Sequence, residues 1–240
     1  MNALLEHIYR TGYVEDAEGN LVDPSLASVS YERGMLLCEL VQREKFENTL
    51  EIGMAYGLST LFICQAHHDK GTGRHTAIDP NQDTVFRSVG LLNIKRAGLD
   101  NILRFFQAPS YEVLPQLCIA GEHFDFAFVD GMHLFDYVLI DFFYIDKLLT
   151  VGGYIVLDDL WMPAVQKVAT FALRNRAYKL VDSPVHKNIP LWKRAARIGR
   201  RFLHNPFERG DARVRLIAEN VCILEKIADD DRQWNFYRVF

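Results

Sequence analysis

The chain has 240 residues, 49% of them apolar and 24% charged, with a formal net charge of −4. That length supports one large domain with a sizeable core, and the net acidity gives the molecule as a whole no nucleic-acid character. No stretch approaches the roughly 18 uninterrupted apolar residues of a membrane span, and Met1 to Gly12 carries neither a basic leader nor a signal-length apolar run. The four cysteines, Cys38, Cys64, Cys118 and Cys222, lie far apart inside apolar runs. They read as buried free thiols, which together with the missing leader predicts a cytoplasmic protein.

Residues 1–47 form a helical and lid-like preface. Residues 13–28 are polar, with Gly19, Asn20, Asp23 and Pro24, and read as a loop or lid. Ser30 is placed to cap a helix running to about Phe46, with Met35, Cys38 and Val41 on one face. From 48 to 240 an alternation sets in. Short apolar strands are predicted at 49–52, 75–79, 102–106, 124–130 and 153–158. Helix-length segments lie between them at 58–68, 82–97, 110–119 and 134–149, the last ending at Gly152-Gly153. A helix at about 163–175, a strand near 178–182 and a last strand from Val221 to Ile227 follow. Strand–helix alternation predicts an α/β fold, doubly wound and mostly parallel, with seven strands and a terminal antiparallel hairpin.

The sharpest motif is Glu51-Ile-Gly-Met-Ala-Tyr-Gly-Leu-Ser-Thr60, between the first of these strands and the helix after it. Gly53 and Gly57 allow a tight turn and close approach of a ligand, and the helix N-terminus offers unpaired N–H groups. A dinucleotide site would call for G-x-G-x-x-G, whereas here the spacing is G-x-x-x-G with a carboxylate two residues before the first glycine. Asp79 ends the next strand, where a carboxylate can accept two hydrogen bonds from a ribose diol or cap a helix. Ser110 follows the third strand and is either a ligand contact or a helix N-cap. Asp130 closes the fourth strand and Asp158-Asp159 the fifth. Strand ends about 4.8 Å apart let such carboxylates converge, and their mutual repulsion is relieved by a cation among them. All-oxygen ligands suit magnesium or a similar hard divalent ion better than zinc. His133, three residues after Asp130, is a candidate general base, with a core-packed histidine as the alternative.

With these motifs the chain resembles the class I S-adenosylmethionine-dependent methyltransferases, whose sheet is Rossmann-like. Within them it is most similar to the metal-dependent small-molecule O-methyltransferase branches (methyltransferase domain 24-like). The resemblance is close over about 48–160 and holds only in outline beyond. It implies that Glu51, Gly53, Gly57, Ser59, Asp79, Ser110 and Asp130 contact S-adenosyl-L-methionine. It also implies that Asp130, Asp158 and Asp159 hold Mg2+ or a similar divalent cation, with Asp130 and His133 at the reacting centre. Catechol-type relatives usually carry Asp-Asn where this chain has Asp158-Asp159, a departure toward the sugar-modifying branch. The activity so implied is methyl transfer to a hydroxyl of a small molecule such as a sugar, phenol or natural product. The alternatives are an RNA or phosphate-bearing substrate methyltransferase, a cofactor-binding protein without catalysis, and an aminopropyl-transferring relative.

One segment stands apart. Residues 185–216 hold nine Lys/Arg against Glu208 and Asp211, a net of +7 that leaves −11 for the rest of the chain. Leu191, Trp192, Ala195, Ile198 and Phe202 fall roughly on one helical face within this basic helical insertion. The readings it leaves open are an interfacial helix on anionic lipid, a phosphate-bearing substrate site, an RNA contact, a homodimer contact and a solvated surface helix.

Overall fold

The Asn2 side chain opens the first helix, α1 (Ala3–Thr11), by accepting the Leu4 amide, and Gly12 closes it in the left-handed region at φ 80°. The computed structural model describes residues 2–183, 190–204 and 210–240, with backbone alone for 201–204. By contact the chain divides into two units, Met1–Gln116 and Leu117–Phe240.

In the first unit the stretch expected to be a loop is a small hairpin, β1 (Val14–Glu15) against β2 (Leu21–Val22). Buried Asp16 gathers the Glu18 and Asn20 amides, and Arg96 donates to the Glu15 and Asp16 carbonyls. Ser30 caps α2 (Tyr31–Arg43) through the Arg33 amide, as expected. Gly34 on α2 lies against the Phe62 ring, where a Cβ would come within 2.1 Å, so glycine is what lets α2 approach its neighbour. The strands β3 (Asn48–Ile52), β4 (Arg74–Ile78) and β5 (Leu103–Phe106) pair in parallel in the spatial order β5-β4-β3. The helices between and after them are α3 (Leu58–Lys70), α4 (Val89–Arg96) and α5 (Ser110–Ile119). α4 is shorter than the 82–97 expectation, because Arg87 and Ser88 sit at positive φ (49° and 55°) and interrupt any helix before Val89.

The second unit continues the alternation with β6 (Phe124–Val129), α6 (Phe135–Leu148), β7 (Leu149–Leu157) and α7 (Pro163–Asn175). β6 and β7 are parallel. Gly152-Gly153 does not end α6 as expected. The helix stops at Leu148 and β7 begins at once, with Gly152 at φ 87° beside a register shift between Phe124 and Phe126. A Cβ on Gly153 would lie 2.8 Å from the Asp125 carbonyl oxygen, so the pair serves a strand irregularity. After β8 (Tyr178–Leu180), α8 (Leu191–His204) and α9 (Ala212–Arg215), the last strand β9 (Cys222–Lys226) enters between β7 and β8, antiparallel to both. The order in this unit is therefore β6-β7-β9-β8, and the main sheet is the mostly parallel seven-stranded α/β sheet that the alternation predicts.

Each unit buries its own apolar core. Leu50, Leu61, Phe62, Ile63 and Ile78 are within the first, and Phe126, Phe128, Phe142, Ile155 and Leu224 within the second. All four cysteines are free; Cys118 is half-buried and the others are buried. Among the described residues no helix is long and apolar enough to cross a membrane. Lys187, Glu208 and Arg209, and the side chains of Arg201 and Phe202, lie outside what the structure describes.

Candidate active site

The glycine turn of the first unit is built from its backbone outward. β3 delivers the chain to Gly53 at φ 90°, whose amide still donates to the Ile78 carbonyl of β4 (2.9 Å). Ala55 (φ 47°) and Gly57 (φ 77°) complete the reversal, and Gly57 leads directly into α3. A Cβ on Gly57 would fall 2.9 Å from the Gly90 carbonyl oxygen, and one on Gly90 would fall 2.5 Å from that of Ala55. Two backbones therefore meet here with no room for side chains, and both glycines are needed.

Carboxylates brace this turn from below. Asp79, 3% exposed, accepts the Met54 and Ala55 amides on Oδ2 (3.0 and 2.7 Å) and the Asn81 amide on Oδ1 (2.7 Å). It caps no helix, since α4 begins ten residues later. Glu51 is fully buried; its Oε2 accepts the Thr60 hydroxyl (2.5 Å) and stands 3.0 Å from His75 Nε2. Its Oε1 has no hydrogen-bond partner among the described residues. A buried acceptor left open costs free energy, so it marks a place where a donor belongs. Behind His75 the Thr49 hydroxyl bridges His75 Nδ1 (2.9 Å) and His67 Nε2 (2.8 Å). Burial, with the His75 and Lys70 charges, pushes the His67 pKa down to about 3. Sequence reasoning missed this Thr60–Glu51–His75–Thr49–His67 chain, because its members are ordinary strand and helix residues until the register sets them side by side. Ser59 is buried in the first turn of α3. Ser110 is the first residue of α5 and not its cap, because the Val113 amide reaches back to the Pro109 carbonyl.

In the second unit Asp130 follows β6, and Asp158 and Asp159 follow β7. Asp130, His133 and Asp159 each offer one ligand atom within 4.8 Å of the others. His133 Nε2 stands 3.4 Å from Asp130 Oδ1 and 3.5 Å from Asp159 Oδ2. The His133 pKa is raised, first by its hydrogen bond to Asp130 and then by the charges of the three acids, against the opposing effect of burial. His133 precedes α6 and is half-buried, so it is not the core-packed histidine of the alternative reading. Asp158 is nearly inaccessible at 1% exposure, and its Oδ1 accepts the Asp159 amide (2.7 Å). The structure thus gathers two of the three expected acids, with His133 where Asp158 was expected.

Asp159 takes a left-handed φ of 51°, costly for a side-chain-bearing residue, so the surroundings must hold it. Asn220, just before β9, does so. Its Nδ2 donates to Asp159 Oδ1 (2.8 Å), its Oδ1 accepts the Trp161 amide (2.9 Å), and its carbonyl accepts the Leu160 amide (3.0 Å). Local sequence carries no sign of this clamp, which joins positions 61 residues apart. Beside the acids in the chain lie exposed apolar side chains: Met132 (57%), Leu134 (56%), Phe135 (41%) and Trp161 (58%).

Residues 50–160 match the family model described as a methyltransferase domain. Tapetum-specific methyltransferase 1 of Arabidopsis thaliana is 35% identical over 168 residues, covering 67% of this chain and 66% of that relative. Caffeoyl-CoA O-methyltransferase 2 of Petunia hybrida is 32% identical over 145 residues, covering 59% and 57%. The chain thus spans somewhat less than two thirds of the length of these relatives. Among solved structures, the O-methyltransferase TomG of Streptomyces achromogenes aligns with a TM-score of 0.61 at 21% identity, over 75% of this chain and 82% of that one. An O-methyltransferase of Bacillus cereus aligns with a TM-score of 0.58 at 23% identity, over 75% and 83%. At such identity these two structures speak for the fold. With the glycine turn and the strand-end acids in the positions described, it is residues 50–160 of the chain that match the methyltransferase-domain family.

Proposed function

We propose that the chain transfers a methyl group from S-adenosyl-L-methionine to a hydroxyl of a small molecule, assisted by a divalent cation. The observation that carries the cofactor assignment is the turn at Gly53–Gly57, closed to every side chain by the Gly57–Gly90 approach, with the open acceptor Glu51 Oε1 beneath it. On this reading Glu51 and the amides at the start of α3, near Ser59, face the methionine part. Asp79 holds the turn, its Oδ2 taking the Met54, Ala55 and Gln82 donors, while its Oδ1, with the Asn81 amide alone, keeps an acceptor position for a ribose hydroxyl. Ser110 and Asp130 complete the cofactor contacts. The named relatives are methyltransferases, and TomG was solved with S-adenosylmethionine, which supports the same cofactor here.

The donor set Asp130, His133 and Asp159 fits a divalent cation: two carboxylate oxygens suit Mg2+, and the imidazole extends the fit to Mn2+. Such an ion, when bound, lowers the pKa of an acceptor hydroxyl and so supplies the nucleophile at neutral pH. Asp130 and Asp159 would hold that ion, and Asn220 fixes Asp159 for the task. His133 serves either as a third ligand or as the group that takes the acceptor's proton at Nε2, and Asp158 stiffens the turn through the Asp159 amide. The apolar side chains at 132, 134, 135 and 161 favour an acceptor with an apolar or ring-bearing body, such as a phenol, over a bare sugar. Four free cysteines suit a reducing, cytoplasmic setting.

Isothermal titration with S-adenosylhomocysteine, with NAD as the comparison, tests the cofactor assignment; binding of the first and not the second is expected. Transfer of labelled methyl to a panel of phenols and sugars, with Mg2+, Mn2+ or chelator, tests the rest. Asp159→Asn is expected to abolish metal-dependent turnover and leave S-adenosylhomocysteine affinity within about twofold, a difference below 0.5 kcal/mol. Undiminished turnover in that variant, or in chelator, would remove the metal from the reading.

A further inference from the structure

The second unit carries a helix that the site does not use. α8 (Leu191–His204) contains five Lys/Arg and no acid. At about 100° per residue, Leu191, Ala195 and Ile198 fall on one face, with Trp192 beside them. Lys193, Arg197 and Arg200, again at i, i+4 and i+7, fall on the opposite one. The structure leaves most of both faces open: Leu191 is 79% exposed and Trp192 68%, Lys193, Arg197 and Arg200 are exposed, and Arg194 and Ile198 are half-buried. Among the described residues none of Lys193, Arg194, Arg197 and Arg200 has an acidic partner. Among the described residues the helix makes one charge–ring contact, and it is internal, Lys193 Nζ at 5.4 Å from the Trp192 ring centre.

A solvated surface helix would mix its charges with acids and keep a leucine and a tryptophan off its outer side. A helix reading nucleic-acid phosphates needs the cations and has no use for the apolar stripe. Both halves of the pattern are satisfied together at the boundary of an anionic bilayer, where the apolar side sinks among acyl chains and the cations meet headgroup phosphates. We propose that α8 is a membrane-interfacial helix that seats the protein on anionic lipid. The rest of the chain, at a net −11, is repelled by such a surface, so the +7 segment containing α8 orients the approach as well as holding it. This inference is independent of the methyl-transfer reading.

The test is co-sedimentation of the full chain with phosphatidylcholine vesicles, with and without phosphatidylglycerol. The parent protein is expected to bind only the anionic vesicles, with a blue shift of Trp192 emission that Trp192→Phe removes. At about 1 kcal/mol per basic residue near the surface, the double variant R194Q/R197Q should bind about thirtyfold more weakly. Ile198→Asp should also abolish binding, with its circular dichroism and Tm unchanged as a control on folding. Equal binding to neutral vesicles, or full binding by a folded Ile198→Asp variant, would overturn the proposal. So would tighter binding to an RNA oligonucleotide than to the vesicles.

Discussion

Gly57 shows how much one position can decide. It stands at φ 77° with the Gly90 carbonyl oxygen 2.9 Å from where a Cβ would be. Gly57→Ala combines left-handed strain with a backbone clash, which predicts a loss of about 1–3 kcal/mol in urea unfolding. The same variant should lose measurable S-adenosylhomocysteine binding by calorimetry, because relief of the clash moves the loop amides. This residue was legible in the sequence, since a strand–glycine–helix pattern is local and its cause is backbone conformation. Asp159 was legible as an acid at a strand end but not as a residue at φ 51°, because what holds it there is distant in the chain. The same distance hid His75: nothing near it announces that β3–β4 pairing will bring it to Glu51.

Among the elements, strands and helices set by a local apolar period came out where expected, α7 and α5 to the residue. The errors fall where a contact overrode the period. α6 gives way to β7 at Leu149, although the glycine pair that looks like a helix stop lies further on. The terminal hairpin is legible as two strands, but not that the later one takes the inner place beside β7. That inner place brings Asn220 to the acid turn, and it yields a prediction. Asn220→Ala removes two hydrogen bonds from a strained turn, about 1–3 kcal/mol of local support. Titrations with Mn2+ should show metal affinity falling at least about fivefold, and those with S-adenosylhomocysteine should show no change. Unchanged metal affinity would mean that Asp159 keeps its geometry without the clamp.

For the molecule as a whole, acid sensitivity is set in part by buried His67. Its folded pKa of about 3 lies below the ordinary 6.5, so between those values the unfolded chain binds a proton that the folded one refuses. Stability therefore rises with pH across that window and is lost as pH falls from about 6.5 toward 3, by up to about 1.4 kcal/mol per pH unit from this group. Urea midpoints measured from pH 7 down to 4 should show this slope. His67→Gln, which keeps a partner for Thr49, should flatten it at some cost in stability at neutral pH. A slope identical in both proteins would assign the acid sensitivity elsewhere.

The insertion of β9 between β7 and β8 also has a temporal side. A ribosome makes β8 some forty residues before the strand it pairs with, and Asn220 emerges after every acid of the cluster. Until β9 slots in, β8 has no described sheet neighbour and the Asp159 turn has no clamp. The nascent chain can thus complete its glycine turn early, while the acid cluster takes its final shape only as synthesis passes the last strand. A chain ending before Asn220 would lack both the clamp on Asp159 and the sheet neighbour of β8.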